Sequence, residues 1–169
     1  MKRHISTIYL AVLVYVALAS LAVHASETLQ DFDGHPEKLA DFVGHGKWSV
    51  VMIWAHDCIV CNREAHNYQA FYKKHKSTDA EMLGISMDGI NGKSEAKAFI
   101  KRHHLTFPNL IGEPEEVAGI FEDLTGANWR GTPTFLIYNP RGELSAQQIG
   151  AVPVSLIEQF IQKETRSEK

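Results

Sequence analysis

The sequence is poor in cysteine: Cys58 and Cys61 are the only two among 169 residues. A small exported domain that relied on disulfides for its stability would usually carry several well-separated pairs. A bond between Cys58 and Cys61 would close a very short loop, so it would remove little entropy from the unfolded chain. A purely structural disulfide is therefore disfavoured, and we expect the pair to have a chemical role.

The chain also lacks an excess of positive charge, because 17 Lys and Arg residues face 20 Asp and Glu residues. This balance gives no reason to expect binding to nucleic acid. After residue 25 the sequence contains no apolar run long enough to cross a bilayer, no internal repeat and no low-complexity tract. We expect one domain over residues 26–165, followed by a polar tail over residues 166–169.

Residues 1–25 have the features of a secretory signal peptide. Lys2 and Arg3 precede an apolar region that runs from Ile8 to Ala22, and small residues near Ala25 predict cleavage after that position. The alternative is an uncleaved anchor over residues 5–23, which are nearly enough to span a bilayer. Both interpretations predict a periplasmic or otherwise exported domain, with membrane association only if the segment is retained.

The two cysteines lie between a predicted strand and a predicted helix. The unbroken apolar run from Val50 to Trp54 precedes them, and apolar residues recur at helical spacing after Cys61. A helix N-terminus stabilises a thiolate on the first cysteine, and the second is close enough to resolve a mixed disulfide. We therefore predict Cys58 as the attacking thiolate and Cys61 as the resolving thiol. Without the strand and helix, the same spacing would equally fit half of a zinc site.

The order of the predicted elements indicates an α/β fold. Helices alternate with buried strands, which requires a mixed sheet covered on both faces. We predict a thioredoxin-like mixed sheet flanked by helices, with an added N-terminal hairpin and an inserted helix after Phe107. The predicted strands are Leu29–Phe32, Val50–Trp54, Met82–Met87, Thr134–Tyr138 and Leu144–Val152, and helices begin near Cys61, Ser94, Pro114 and Pro153.

Two acidic residues flank the cysteine pair. Glu64 follows Cys61 by three residues on the same side of the helix, so its carboxylate could accept the proton of the inner thiol. An exposed glutamate without a chemical role is the simpler alternative. Asp57 could cap the helix and oppose the charge of a Cys58 thiolate, which a protonated His56 would offset. Alternatively, Asp57 is a solvated residue that has little influence on the Cys58 thiolate.

Thr132 and Pro133 begin the predicted strand Thr134–Tyr138. A proline there cannot donate a hydrogen bond to the sheet, so it marks a special backbone position such as a cis peptide. Beside the cysteines, the main chain of Thr132 could pair with an extended substrate segment. We predict Thr132 and Pro133 as substrate-binding residues, whereas an ordinary turn proline is the alternative outside this topology.

A metal site that used His56, the two cysteines and His66 is geometrically awkward. On a regular helix His66 would lie about 80° around the axis from Cys58. We therefore predict no bound metal and no organic cofactor. A copper-binding metallochaperone that used both thiols and a histidine remains the alternative function, because paired thiolates suit Cu(I).

The chain resembles the TlpA/ResA-type thioredoxin-like proteins. The resemblance rests on the segments Trp54-Ala55-x-x-Cys58-x-x-Cys61-x-x-Glu64 and Gly131–Ile137, and it extends over residues 29–162. It implies that Cys58 is the nucleophile, that Cys61 resolves, that Glu64 accepts a proton and that Pro133 is cis. It also implies a periplasmic reductant that serves cytochrome or copper-site maturation.

Three positions depart from the usual pattern of that family. This chain has Asp57 where an aromatic residue is usual, and it has Val60 and Ala65 where proline is frequent. The pair between the cysteines tunes the redox potential, so the direction of electron flow stays open. We expect a monomeric thiol–disulfide oxidoreductase, a reductase of protein disulfides, that exchanges electrons with a partner dithiol protein. A peroxide-reducing thiol enzyme is a further alternative.

Overall fold

A seven-stranded mixed sheet organises residues 29–167, the part of the chain that the computed structural model describes. The strands are β1 (Leu29–Asp31), β2 (Pro36–Glu37), β3 (Trp48–Trp54), β4 (Ala80–Ser86), β5 (Asn109–Ile111), β6 (Thr134–Tyr138) and β7 (Leu144–Ile149). Their order is β2-β1-β5-β4-β3-β6-β7. Strands β3, β4 and β5 pair in parallel, and the other neighbours pair antiparallel.

Helices cover both faces of this sheet, as the alternation of elements predicts. They are α1 (Ile59–His75), α2 (Lys93–Arg102), α3 (Pro114–Thr125) and α4 (Val154–Ser167), and a short 3-10 turn spans Leu39–Phe42. Every residue of β3 and β6 is buried, because a central strand between two helical layers offers both of its faces to apolar neighbours. The predicted thioredoxin-like mixed sheet is confirmed.

The sheet separates two apolar clusters. On one face, α1, α2 and α4 contribute residues such as Tyr68, Phe99 and Ile157 to a cluster that also contains Cys61. On the other face, α3 and the 3-10 turn pack Phe121 and Leu39 against alternate residues of the same strands. Burying a side chain of the size of Phe99 contributes roughly 2 kcal/mol, so the layer that holds the cysteine helix is strongly anchored.

The N-terminal hairpin and the inserted helix are both present. Strands β1 and β2 pair antiparallel, and β1 also pairs with β5. Helix α3 is the inserted helix; Pro114 occupies its first turn and Gly126, with φ of 67°, ends it. Proline suits a first turn because its missing N–H has no helical partner there, and glycine tolerates the left-handed conformation.

Strand β5 is absent from the sequence-based prediction, which treats Phe107-Pro108-Asn109 only as a break. Its three residues complete the parallel part of the sheet by pairing with β4. The Asn109 side chain accepts a hydrogen bond from Trp54 Nε1 at 3.2 Å, and Gly84 leaves the room that this contact needs. So short a strand is held by tertiary contacts that local periodicity does not reveal.

The C-terminal boundary also differs from the expectation. Helix α4 extends to Ser167, so Arg166 and Ser167 belong to the helix and not to a polar tail. Thr165 accepts a hydrogen bond from Trp48 Nε1 at 3.0 Å, which ties this last turn to β3. The predicted signal peptide or anchor, residues 1–25, lies outside the described residues, as do residues 168–169. Within residues 29–167 no helix has the length and apolar character needed to cross a membrane.

Candidate active site

A disulfide joins Cys58 to Cys61 at the start of α1. Cys61 is completely buried, whereas Cys58 is only partly buried. Cys58 is the N-cap residue of the helix, and its Sγ accepts a hydrogen bond from the Cys61 main-chain N–H at 3.1 Å. The free N–H groups and the dipole at this helix end stabilise negative charge on an acceptor there. The geometry fits the predicted roles of an outer nucleophile and an inner resolving thiol.

Asp57 does not cap the helix, contrary to the sequence-based expectation. The helix begins at Ile59 and Cys58 occupies the cap position, so Asp57 lies one residue too early to satisfy the first N–H groups. Its side chain is exposed. Water therefore screens its interaction with the neighbouring sulfur.

The charged partner of His56 is Asp88, a residue that the sequence analysis did not identify. The Asp88 carboxylate accepts hydrogen bonds from the His56 main-chain N–H at 3.1 Å and from the ring Nδ1–H at 2.8 Å. It also accepts one from Ser86 Oγ at 2.6 Å. The Asp88 side chain is only 4% exposed, whereas that of His56 is 37% exposed. The hydrogen bond to Asp88 raises the pKa of His56, against the opposing effect of burial.

One signal could have identified Asp88 in advance. Strands β3 and β4 run parallel, with Trp54 opposite Ser86. Residues that follow these two strands therefore meet at one edge of the sheet, next to the cysteine loop. Asp88 and His56 each stand two positions beyond those paired ends.

Asn62 connects the cysteine loop to helix α2. Its Nδ2 donates to the carbonyl oxygens of His56 and Cys58, at 2.9 and 3.0 Å. Its Oδ1 accepts from Arg102 Nη2 at 2.8 Å and from His103 Nε2 at 3.0 Å. Both donors and both acceptor positions of the amide are therefore used, which fixes its orientation. Burial lowers the pKa of His103, and this favours the neutral ring.

Glu64 lies on α1 with its side chain 27% exposed. Its carboxylate accepts hydrogen bonds from Arg63 Nε at 2.8 Å and from Asn67 Nδ2 at 2.9 Å. These two contacts lower the pKa of Glu64 and so keep it ionised. Among the hydrogen bonds within residues 29–167, none joins Glu64 to either cysteine, and its role as a proton acceptor stays a prediction.

The Thr132–Pro133 peptide bond is cis, as expected. Pro133 is buried immediately before β6, whose first residue, Thr134, pairs with Ile53 in the strand that leads to the cysteines. The Pro133 carbonyl accepts a hydrogen bond from Gly150 N–H at 2.8 Å. The main-chain hydrogen bonds found within residues 29–167 do not involve Thr132. Its peptide groups could therefore pair with another chain, and this binding role stays a prediction.

The residues considered for a metal site do not assemble as one. In the described part of the chain, the side chains close enough to share an ion are those of His56, Asp57 and Asp88, within 4.8 Å of one another. His66 is an exposed residue of α1 and does not belong to this group. The His56 ring already donates to Asp88. No feature of this arrangement supports copper binding.

Comparison with known proteins identifies a family and several similar sequences. Residues 24–147 match the family model described as the AhpC/TSA family. The chain is 35% identical over 103 residues to the chloroplastic Peroxiredoxin Q of Sedum lineare, covering 59% of this chain and 53% of that protein. It is 32% identical over 117 residues to the Peroxiredoxin Q of Gentiana triflora, covering 67% and 52%. The chain thus spans about half the length of the curated relatives it matches.

Solved structures confirm the fold that the motifs indicate. A thioredoxin-family thiol:disulfide interchange protein from Chlorobium tepidum superposes with a TM-score of 0.66 at 20% identity, over 79% of this chain and 89% of that one. StoA from Bacillus subtilis superposes with a TM-score of 0.59 at 20% identity, over 79% and 93%. At such low identity these similarities show the fold alone. The chain belongs to the AhpC/TSA family, with a Cys58–Cys61 disulfide on a thioredoxin-like sheet.

Proposed function

We propose that the protein is a thiol–disulfide oxidoreductase that reduces disulfides in other proteins. The observation that carries the proposal is the Cys58–Cys61 disulfide at the N-terminus of α1, in which Cys58 is partly exposed and Cys61 is buried. A disulfide that closes so short a loop contributes little to folding stability. We therefore assign it a redox role, in which the bond is formed and broken during the reaction. Membership in the AhpC/TSA family supports this redox chemistry.

The proposed reaction begins with the reduced protein. The Cys58 thiolate attacks one sulfur of the substrate disulfide, which forms a mixed disulfide and releases the first substrate thiolate. The Cys61 thiol then transfers its proton to Glu64, and its sulfur attacks Cys58 Sγ. This second attack releases the other substrate thiolate and forms the Cys58–Cys61 disulfide. Two electrons have passed to the substrate, and a partner dithiol protein returns them to this chain.

Two features of the chain suit a polypeptide substrate. Ile59 follows the nucleophile directly and is 81% exposed, so it offers an apolar surface to a client. The main chain of Thr132, before the cis Pro133, can pair with an extended segment. We propose that Thr132 and Pro133 orient the client while Cys58 reacts.

We also propose that the reaction takes place outside the cytoplasm, in one domain over residues 26–165 that acts as a monomer. The sequence pattern of residues 1–25 supports export, and an oxidising compartment is where protein disulfides form and accumulate. The N-terminal segment would be cleaved after Ala25, or would hold the domain at the membrane if retained.

A peroxide-reducing activity is the second candidate. The sequence similarity to two Peroxiredoxin Q proteins, with identities of 35% and 32%, favours this activity. In that case Cys58 would attack a peroxide oxygen to form a sulfenic acid and release an alcohol or water. Cys61 would then condense with the sulfenic acid, releasing water and forming the same disulfide.

One experiment separates the two candidates. The full chain, reduced by dithiothreitol, is offered either a protein disulfide such as that of insulin or hydrogen peroxide, together with the variants Cys58→Ser and Cys61→Ser. We expect wild-type protein to reduce insulin, Cys58→Ser to be inactive and Cys61→Ser to accumulate a mixed disulfide. Fast reaction with peroxide and none with insulin would contradict the proposed function and favour the second candidate.

The role of Glu64 is tested by the matched variant Glu64→Gln. If its carboxylate accepts the Cys61 proton, the mixed disulfide should resolve about 10-fold or more slowly, because general-base assistance is lost. Formation of the mixed disulfide should be unchanged. Equal rates for both steps in wild type and variant would show that Glu64 has no part in proton transfer.

A further inference from the structure

Hydrogen bonds hold the main-chain N–H, the ring Nδ1–H and the carbonyl oxygen of His56. Its main-chain N–H and its ring Nδ1–H both donate to Asp88, at 3.1 and 2.8 Å. Its carbonyl oxygen accepts from Asn62, and the same amide also binds the carbonyl oxygen of Cys58. The imidazole is therefore fixed relative to the loop that presents Cys58, two residues further along.

Helix stability does not explain this arrangement. A positive charge at a helix N-terminus opposes the helix dipole, and a carboxylate with only 4% exposure is costly to bury. Anions from several elements nevertheless surround the ring. They are Asp57 in the same loop, Asp88 after β4 and Glu95 on α2, and all of them raise the pKa of His56. The cation Arg102 and the His103 ring, whose neutral form is favoured by burial, both bind the Asn62 amide and not the His56 ring.

We propose that His56 is a positioning residue whose positive charge, maintained by Asp88 and oriented by Asn62, stabilises the Cys58 thiolate and makes the redox equilibrium depend on pH. The proposal rests on the proposed function, because it concerns the reduced state of the same cysteine pair. It also explains why a cation lies at the N-terminus of α1, where it opposes the helix dipole. Asp57, which is exposed, opposes the effect only through solvent.

The chemistry needs no proton transfer to or from His56. When a partner dithiol reduces the Cys58–Cys61 disulfide, the partner is oxidised to a disulfide and this chain gains two electrons. Of the two protons that the partner's thiols lose, Cys61 takes up one and becomes a thiol, and the other passes to solvent. Cys58 remains a thiolate, two residues after the imidazolium of His56. As the pH rises and His56 loses its proton, the thiolate loses this favourable neighbour, so the reduced form becomes less stable relative to the disulfide.

The test compares the reduced full chain with His56→Gln and with the double variant His56→Gln/Asp88→Asn. The matched control is His66→Gln, which removes an exposed imidazole from α1. The readouts are the pH midpoint of Cys58 alkylation by iodoacetamide and the equilibrium constant of the cysteine pair with glutathione across pH. Thermal melting of each oxidised variant verifies that it is folded.

We expect His56→Gln to raise the alkylation midpoint by about one pH unit, because a cation is lost and Asp88 is left unpaired. The double variant, which replaces the ion pair by neutral amides, should show a smaller rise, and His66→Gln should match wild type. If His56→Gln does not fold, the double variant decides the outcome. Midpoints equal to that of wild type in the folded His56 variants, or an equal rise in His66→Gln, would overturn the proposal. If the alkylation midpoints differ among the proteins as expected but the wild type does not reduce insulin, only the proposed function is overturned.

Discussion

The two ends of helix α1 both join a histidine to carboxylates, but in different surroundings. At the C-terminal end, His75 contacts Asp79 at 2.8 Å and Glu158 of α4 at 3.0 Å, and Lys74 also binds Glu158. Asp79 is 52% exposed there. At the N-terminal end, His56 contacts a single carboxylate, that of the buried Asp88. One end is a redundant surface network around a largely buried histidine, and the other pairs a more exposed histidine with one buried carboxylate.

The difference indicates two separate roles for the same pair of residue types. Cations in the last turn of a helix complement its dipole, so the contacts of His75 serve the fold by tying α1 to α4. The N-terminal pair is unfavourable to the dipole and adjoins the disulfide. Its arrangement is therefore better explained by the chemistry of the cysteines than by the stability of the helix.

Removing one carboxylate from each end of α1 should give the largest difference in the free energy of unfolding between the two ends. Asp88→Ala leaves the N–H groups of His56 without their buried acceptor, and we expect a loss of about 3 kcal/mol in the free energy of unfolding. The matched variant Asp79→Ala loses an exposed contact and should cost less than about 1 kcal/mol. Urea denaturation of both oxidised variants measures the difference. Equal losses would show that the two ends do not differ in this way.

Substitution of Asn62 addresses the link between the N-terminal end and α2. Asn62→Ala removes hydrogen bonds to His56, Cys58, Arg102 and His103, and we expect a cost of about 1–2 kcal/mol by urea denaturation. Asn67→Ala, on the exposed side of the same helix, is the control and should change stability by at most about 0.5 kcal/mol. A neutral result for Asn62→Ala would indicate that water replaces its contacts.

Glu158→Gln should have a smaller effect at the C-terminal end. The glutamine keeps a carbonyl acceptor for Lys74 and His75 but loses the charge, so we expect a loss of about 0.5 kcal/mol. A double-mutant cycle with Lys74→Met measures the coupling of the pair. A coupling well above about 1 kcal/mol would show that this end is not a simple surface network.

The pH dependence of stability should differ in sign between the ends. Hydrogen bonds to His75 and Lys74 lower the pKa of Glu158, so its contribution is present at neutral pH and is lost as the pH falls through its lowered folded value. The pKa of His56 is raised, so its contribution is complete below about pH 6 and is lost as pH rises through its folded value. Urea midpoints measured across pH for wild type, Glu158→Gln and His56→Gln assign the loss of stability at low pH to Glu158 and the loss at high pH to His56. If either loss of stability is unchanged in the corresponding variant, another titratable group causes it.

Much of the fold follows from local patterns. The continuous apolar run of β3 and the helical spacing of Cys61, Ala65 and Tyr68 predict the central strand and α1 because both patterns are strong and long. Strand β5 escaped prediction because three residues between Pro108 and Gly112 carry no periodic signal. The polar composition of residues 166–169 predicts a tail, but α4 continues to Ser167, and its last turn contacts Trp48, which is distant in sequence.

The sequence by itself determined the residues that we propose for the chemistry: two cysteines at the start of a helix and a proline before a distant strand. It could do so because covalent spacing and backbone restriction are local properties. Only the tertiary structure decided what surrounds them. Asp88 reaches His56 because two parallel strands end at one edge of the sheet, and Asn62 reaches Arg102 because α1 and α2 pack on the same face. Such contacts depend on strand order and on which face each helix covers, and neither property is encoded in any short stretch of residues.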